Sequence, residues 1–202
     1  MAYSDFKLIE IIDSFGLVIH ESSGLFANVQ EQDCSDLLSI ILNENVDLAV
    51  AISSGKARSK MIISPILLEI RRKFNYEISL VSGVDFTVDS QRGLNGFCDF
   101  ILSLSSEQLL VRSPVVVLVE SKNENLRSGL AQCIARMIAA QLFNERGANQ
   151  IKIIYGAVTI GTIWQFLKLE SNVVSIDLSE YYIKDIKKIL GILYGAIAQS
   201  KP

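Results

Sequence analysis

Asp99, Glu120 and Lys122 are the residues of this chain whose types and spacing could do chemistry. Glu120 and Lys122 lie two apart at the end of the apolar run Val115-Val116-Val117-Leu118-Val119. In a strand, residues two apart project from the same face. A carboxylate and an ammonium at the end of a buried strand are costly to desolvate unless they are paired or coordinated. Asp99 likewise interrupts an apolar stretch, Phe97-Cys98-Asp99-Phe100-Ile101-Leu102. If the two stretches are neighbouring strands, Asp99 reaches the same place. Two carboxylates with a backbone carbonyl and waters make a hard, oxygen-rich site for Mg²⁺ or Mn²⁺. A lysine beside them could orient or help deprotonate an attacking water and stabilise charge developing on a phosphate.

Other chemistries have few residues to use. His20 is the single histidine, in the apolar stretch Gly16-Leu17-Val18-Ile19-His20, and reads as a surface or packed imidazole. That argues against Ser-His-Asp, Cys-His and multi-histidine metal chemistry. Cys34, Cys98 and Cys133 are far apart and odd in number, with no CxxC pair, and read as buried thiols of a reducing cytoplasm. Ser53-Ser54-Gly55-Lys56 lacks the upstream glycine and the following Ser/Thr of a phosphate loop, since Ala57 follows. The same four residues match S-x-x-K without its companion motifs.

The elements that must position the site follow from periodicity. Leu8, Ile11, Ile12 and Phe15 predict a short helix over 4–15, followed by a loop carrying Glu21-Ser22-Ser23-Gly24. A helix is expected over 33–50, a break at Ser53-Ser54-Gly55, and a helix over 59–74. In that last helix Pro65 either follows a Ser64 cap or kinks a helix begun earlier. Three strands are expected over 78–89, 96–105 and 114–121, the first two joined through Gln91–Gly96. The third is apolar enough to be buried on both faces. A helix over 127–145 carries Leu130, Ile134, Met137, Ile138 and Leu142 at helical spacing. On its wheel Gln132 shares a stripe with Ser128 and Arg136, which faces either a phosphate or solvent. Strands over 151–160, 162–169 and 172–177 and a last helix over 183–198 complete an α/β chain, a central mixed sheet with helices on both sides.

Set in that order of elements, Asp99, twenty intervening residues and Glu120-Ser121-Lys122 resemble the PD-(D/E)XK nuclease superfamily, the restriction-endonuclease-like fold. Its core runs helix, three strands, helix, strand, with the acid and the E-x-K on the second and third strands, where they fall here. The resemblance implies an αβββαβ core over about 59–160 within a single domain of 1–202. Residues 1–58 would be an N-terminal helical addition and 161–202 extra strands and a helix. It also implies a metal held by Asp99 and Glu120, a water-positioning Lys122, a further acid at Glu69 on the preceding helix holding metal or its water, and a glutamine at Gln132 touching the site or a phosphate. The family's proline before the aspartate is Cys98 here, a position that bears no chemistry. The residues taken alone also describe a strand-end ion pair of Glu120 and Lys122 with Asp99 capping a turn, and Glu69 and Lys73 as an i,i+4 helix pair.

The expected activity is hydrolysis of phosphodiester bonds in nucleic acid, DNA in the first place. The alternative is a catalytically inactive relative serving as an interaction or binding subunit. Composition weighs toward the alternative. A net charge of −3 and a pI near 5.3 oppose avid, non-specific nucleic-acid binding, and no DNA-reading module is evident. Lys56, Arg58 and Lys60 form a local basic cluster, either touching phosphates or solvated. The last helix is apolar around much of its girth, through Ile186, Ile189, Leu190, Ile192, Leu193 and Ile197, which suits the core or a homodimer interface. No stretch approaches the roughly 18 apolar residues of a membrane span, and acids within the first ten residues do not suit a secretory leader, so a cytoplasmic location is expected.

Overall fold

The run Val115–Val119 forms the first five residues of strand β4 (Val115–Ser121), and they are buried because helices cover both faces of the sheet around them. The computed structural model describes residues 2–149 and 151–201. Their centre is an open, mixed sheet of eight strands. The others are β1 (Val18–Ser22), β2 (Ser79–Asp85), β3 (Phe97–Ser103), β5 (Ile153–Thr159), β6 (Ile163–Glu170), β7 (Val173–Asp177) and β8 (Tyr181–Tyr182). The order is β1-β7-β6-β5-β4-β3-β2, with β8 on β6. β4 runs parallel to β5, and β1 parallel to β7; the remaining pairs are antiparallel.

One face is covered by α4 (Ser64–Lys73) and α6 (Ile186–Ala198), which share a core with Val117, Val119 and Phe100, and α2 (Asp36–Ile52) packs on α4. The other is covered by α5 (Arg127–Arg146), which shares a core with Leu118 and Ile101, and α1 (Leu8–Phe15) packs beside α5. A register shift between Leu102 and Ser103 lets Val116 bulge from β4. Beyond the bulge strict alternation sends Val117 and Val119 to the α4 face, and Leu118 and Glu120 to the α5 face.

Three expectations change. The segment after α1 is not a loop: Gly16, in the left-handed region at φ 59°, ends the helix and Val18–Ser22 pairs with Val173–Asp177. This edge strand is largely exposed, so it carries no apolar alternation to betray it. The first strand of the meander ends at Asp85 rather than 89, where the Asp85 carboxylate accepts the Thr87 N–H at 3.1 Å and turns the chain out of the ladder. The helix expected from 59 begins at α3 (Gly55–Arg58), capped by Ser54, and runs through a π-helical stretch, Ser59–Ile63, into α4. Pro65 cannot donate to the Met61 carbonyl four residues back, and the Asn45 side chain donates to that carbonyl instead, at 3.5 Å.

The breadth of α6 is met within the chain. Ile189, Leu190, Ile192, Leu193 and Ile197 are buried in its own core. Where α6 passes the segment before α2, a Cβ on Gly191 would stand 2.4 Å from the Gln30 carbonyl oxygen, so only glycine allows that approach. Among the described residues no helix is long and apolar enough to cross a membrane.

Candidate functional site

The pairing of β3 with β4 stops after Phe100–Val119, and Asp99 and Glu120 are the next residues along. Asp99 Oδ2 there accepts the Ser121 main-chain N–H at 2.8 Å, taking the ladder position a carbonyl would fill. Both side chains project from the face that α5 covers. Glu120 is 1% exposed, whereas the Asp99 side chain remains about a third open. Lys122 continues the alternation onto the same face, and its main-chain N–H is fixed by Thr159 of β5 at 2.8 Å.

The helix α5 comes unusually near this part of the sheet because small residues face each other. A Cβ on Gly129 would lie 2.5 Å from Val158 Cγ1 and 3.1 Å from Lys122 Cε. A Cβ on Gly156 would lie 2.5 Å from Met137 Sδ. The close approach brings the helix stripe Gln132–Arg136 onto the carboxylates. Lys122 Nζ sits 2.8 Å from Glu120 Oε1 and donates to Gln132 Oε1 at 2.6 Å. Burial pulls the Lys122 ammonium below its ordinary pKa, against the attraction of Asp99.

Arg136 is the residue the sequence reading did not place here. It is 3% exposed, and its guanidinium lies between the two carboxylates. Nη1 is 3.7 Å from Asp99 Oδ2 and forms an ion pair with Glu120 Oε2. Nη2 donates to the Phe97 carbonyl. The Tyr3 ring closes the outer side, 5.8 Å from the guanidinium carbon, and its hydroxyl donates to the Phe86 carbonyl. The signal was present in the sequence: a lone arginine within Cys133-Ile134-Ala135-Arg136-Met137-Ile138-Ala139 must find a counter-charge if that stretch is buried.

Asp99, Glu120, Lys122 and Gln132 are thus brought together; Glu69 is not. Its helix α4 covers the opposite face of the sheet. Its buried carboxylate accepts the Ser35 N–H at 3.3 Å and the Ser35 hydroxyl at 2.9 Å, and pairs with Arg72 at 2.5 Å. Nor does Lys73 serve as its i,i+4 partner; Arg72 does, at i,i+3. Ser35 in turn caps α2 by accepting the Leu38 N–H. Glu69 therefore fastens the start of α2 to α4. Glu69→Ala is expected to lower stability by about 1–3 kcal/mol, since the Ser35 donors and Arg72 lose their acceptor. The same variant should bind Mn²⁺ as the unsubstituted protein does, which urea unfolding and calorimetric titration would show together.

His20 is exposed on β1; Cys98 and Cys133 are buried free thiols, pushed up to about 12 by burial, while Cys34 is half-buried. Ser54 caps α3, accepting the Ala57 N–H at 3.2 Å, so the Ser-Ser-Gly-Lys segment is a helix start. That start lies against the Asn123 side chain, one residue beyond Lys122. Lys56 and Lys60 are exposed there, and Arg58 donates to the Ile160 carbonyl at 3.0 Å.

Among the described residues no three His, Cys, Asp or Glu side chains group as a metal cage. Asp99 and Glu120 nonetheless converge on one cation, the Arg136 guanidinium. Two hard carboxylates with the remaining positions left to main chain and solvent are the donor set that Mg²⁺ accepts, because it keeps several waters. No protein-family model, no curated protein and no solved structure matches this chain.

Proposed function

We propose that the chain is a PD-(D/E)XK-type protein that hydrolyses phosphodiester bonds in nucleic acid, DNA first, with Mg²⁺ or Mn²⁺. The observation that carries this reading is the convergence of Asp99, Glu120, Lys122 and Gln132 on one face at the point where β3 and β4 part. The succession α4, β2, β3, β4, α5, β5 supports it, being the order of helix and strands that the resemblance implies. Lys56, next to the Gly55 helix start that lies against Asn123, and Lys60 farther along the same helical stretch are exposed cations that support a phosphate-bearing substrate despite the acidic total.

Asp99 and Glu120 would hold the ion, which when bound supplies Lewis-acid stabilisation and a more acidic water. Ser121 N–H aims the Asp99 carboxylate. Gln132 aims the Lys122 ammonium, which stabilises charge developing on a phosphate oxygen in a site largely closed to bulk water. The test is incubation with labelled single-stranded, duplex and branched DNA, and with RNA, in Mg²⁺ or Mn²⁺. Cleavage is expected, falling by roughly 10²-fold or more in Lys122→Met. Equal behaviour of the variant and the unsubstituted protein, with no dependence on the ion, would sink the reading.

A second reading, a non-catalytic member of the same fold kept for binding, is favoured by one observation. Arg136 already neutralises the carboxylates, so the four charges of the cluster cancel without any ion.

A further inference from the structure

Arg136 stands where the proposed ion would stand, and what holds it there is incomplete. A guanidinium has five N–H donors in a rigid fork. Here Nη2 has the Phe97 carbonyl and Nη1 has the two carboxylates, but the buried Nε has no hydrogen-bond partner among the described residues. We infer that the Asp99–Glu120 pair is a single cation place for which Arg136 and a divalent ion compete, so that the ion enters only as the guanidinium withdraws. The inference rests on the metal-dependent reading above.

Charge and space both require the exchange. With Lys122 and Arg136 in place, Asp99 and Glu120 are already neutralised. A divalent ion added to that set would leave a double positive charge where Glu120 and Arg136 are almost wholly removed from water, an arrangement that low-dielectric surroundings penalise heavily. An ion that replaces the guanidinium leaves a single positive charge, the sign a phosphodiester needs. The Arg136 Nη1 atom also occupies the space between the carboxylates, touching one and 3.7 Å from the other. Withdrawal has an identifiable obstacle. Tyr3 covers the guanidinium and is fastened by its main-chain N–H to the Asn95 carbonyl at 3.1 Å and by its hydroxyl to Phe86. The first turn of the chain (Tyr3–Asp5) therefore takes part in controlling the site.

The test is a Mn²⁺ titration followed by its electron paramagnetic resonance signal, on the unsubstituted protein, Arg136→Gln, and Arg136→Gln combined with Asp99→Asn. Arg136→Gln is expected to bind Mn²⁺ roughly tenfold or more tightly than the unsubstituted protein, and the added Asp99→Asn to remove the gain. Since Arg136→Gln removes one of the two cations beside the buried Glu120 and can fail to fold, a measurement on the unsubstituted protein stands beside it. The Arg136 Nε–H resonance in ¹⁵N spectra should move as Mg²⁺ saturates the site. Equal Mn²⁺ affinity in both proteins, or an Arg136 resonance unmoved at saturation, overturns the competition and leaves the metal reading standing. No Mn²⁺ binding by either protein overturns both.

Discussion

Glu120→Gln is expected to lower the free energy of unfolding by about 3–5 kcal/mol, the loss typical when a buried ion pair is left with one member. Glu120 is buried with one oxygen beside the Lys122 ammonium at 2.8 Å and the other on the Arg136 guanidinium. A neutral amide would strand two cations, and Arg136 has nowhere to be hydrated from its present position. The direction is the informative part. Where two carboxylates face each other with only solvent between them, neutralising one relieves repulsion and raises stability. Here cations already hold the carboxylates, so the same substitution must destabilise. Asp99→Asn gives the contrast: its side chain is about a third open and its direct bond is the Ser121 N–H, so a cost of about 1 kcal/mol is expected. Replacing Glu120 and Arg136 together by methionine should recover part of the loss, because the buried guanidinium is no longer stranded and the Lys122 ammonium keeps Gln132 as an acceptor. Urea unfolding of the four proteins measures all of this. A Glu120→Gln protein as stable as the parent would mean that Arg136 does not depend on that carboxylate.

The contrast between Glu69 and Arg136 shows where reading the sequence reaches its limit. Strand alternation puts Glu120 and Lys122 on one face without any knowledge of the rest of the chain, and the apolar run before them marks the strand as central. The same alternation carries Asp99 to that face once β3 and β4 are antiparallel neighbours. A helix gives no such information. Its period says which residues share a stripe, but not which side of the sheet the helix covers or how it is turned. Glu69 lies on a helix of the right order in the chain, yet α4 covers the far face. Arg136 shares the stripe of Gln132, but whether that stripe meets solvent or the strand ends depends on how α5 docks. The docking is set by the glycines at 129 and 156, whose meaning appears only when the partner atoms are in place. β1 was missed for a related reason. It is a strand because β7 offers it an edge, and almost nothing in its own pattern of residues requires one.

Asp177→Ala is expected to cost about 3–5 kcal/mol and to loosen the N-terminal segment before the rest of the fold. Asp177 ends β7 and is 0% exposed, yet no salt bridge is found for it among the described residues. Its carboxylate is satisfied by four donors instead. Oδ1 accepts from the Gly24 and Ser179 N–H groups at 3.0 and 2.9 Å, and Oδ2 from the Phe26 N–H at 3.3 Å and the Tyr181 hydroxyl at 2.8 Å. These donors belong to the segment after β1, to the link between β7 and β8 and to β8 itself, so one side chain ties an early part of the chain to a late one. Each donor stranded in a buried place carries its own desolvation penalty, and water would have to enter to recover it. Asparagine cannot stand in, because its amide group turns a donor toward donors. Phe26 packs in the core against Tyr155 and Phe166, so release of its N–H also frees an aromatic contact on that face of the sheet. Hydrogen exchange should therefore quicken first at residues 17–34 and 178–182, while the amides of β4 and α5 keep their protection under mild conditions. Uniform acceleration across the sheet would show that Asp177 supports the whole molecule instead of this one junction.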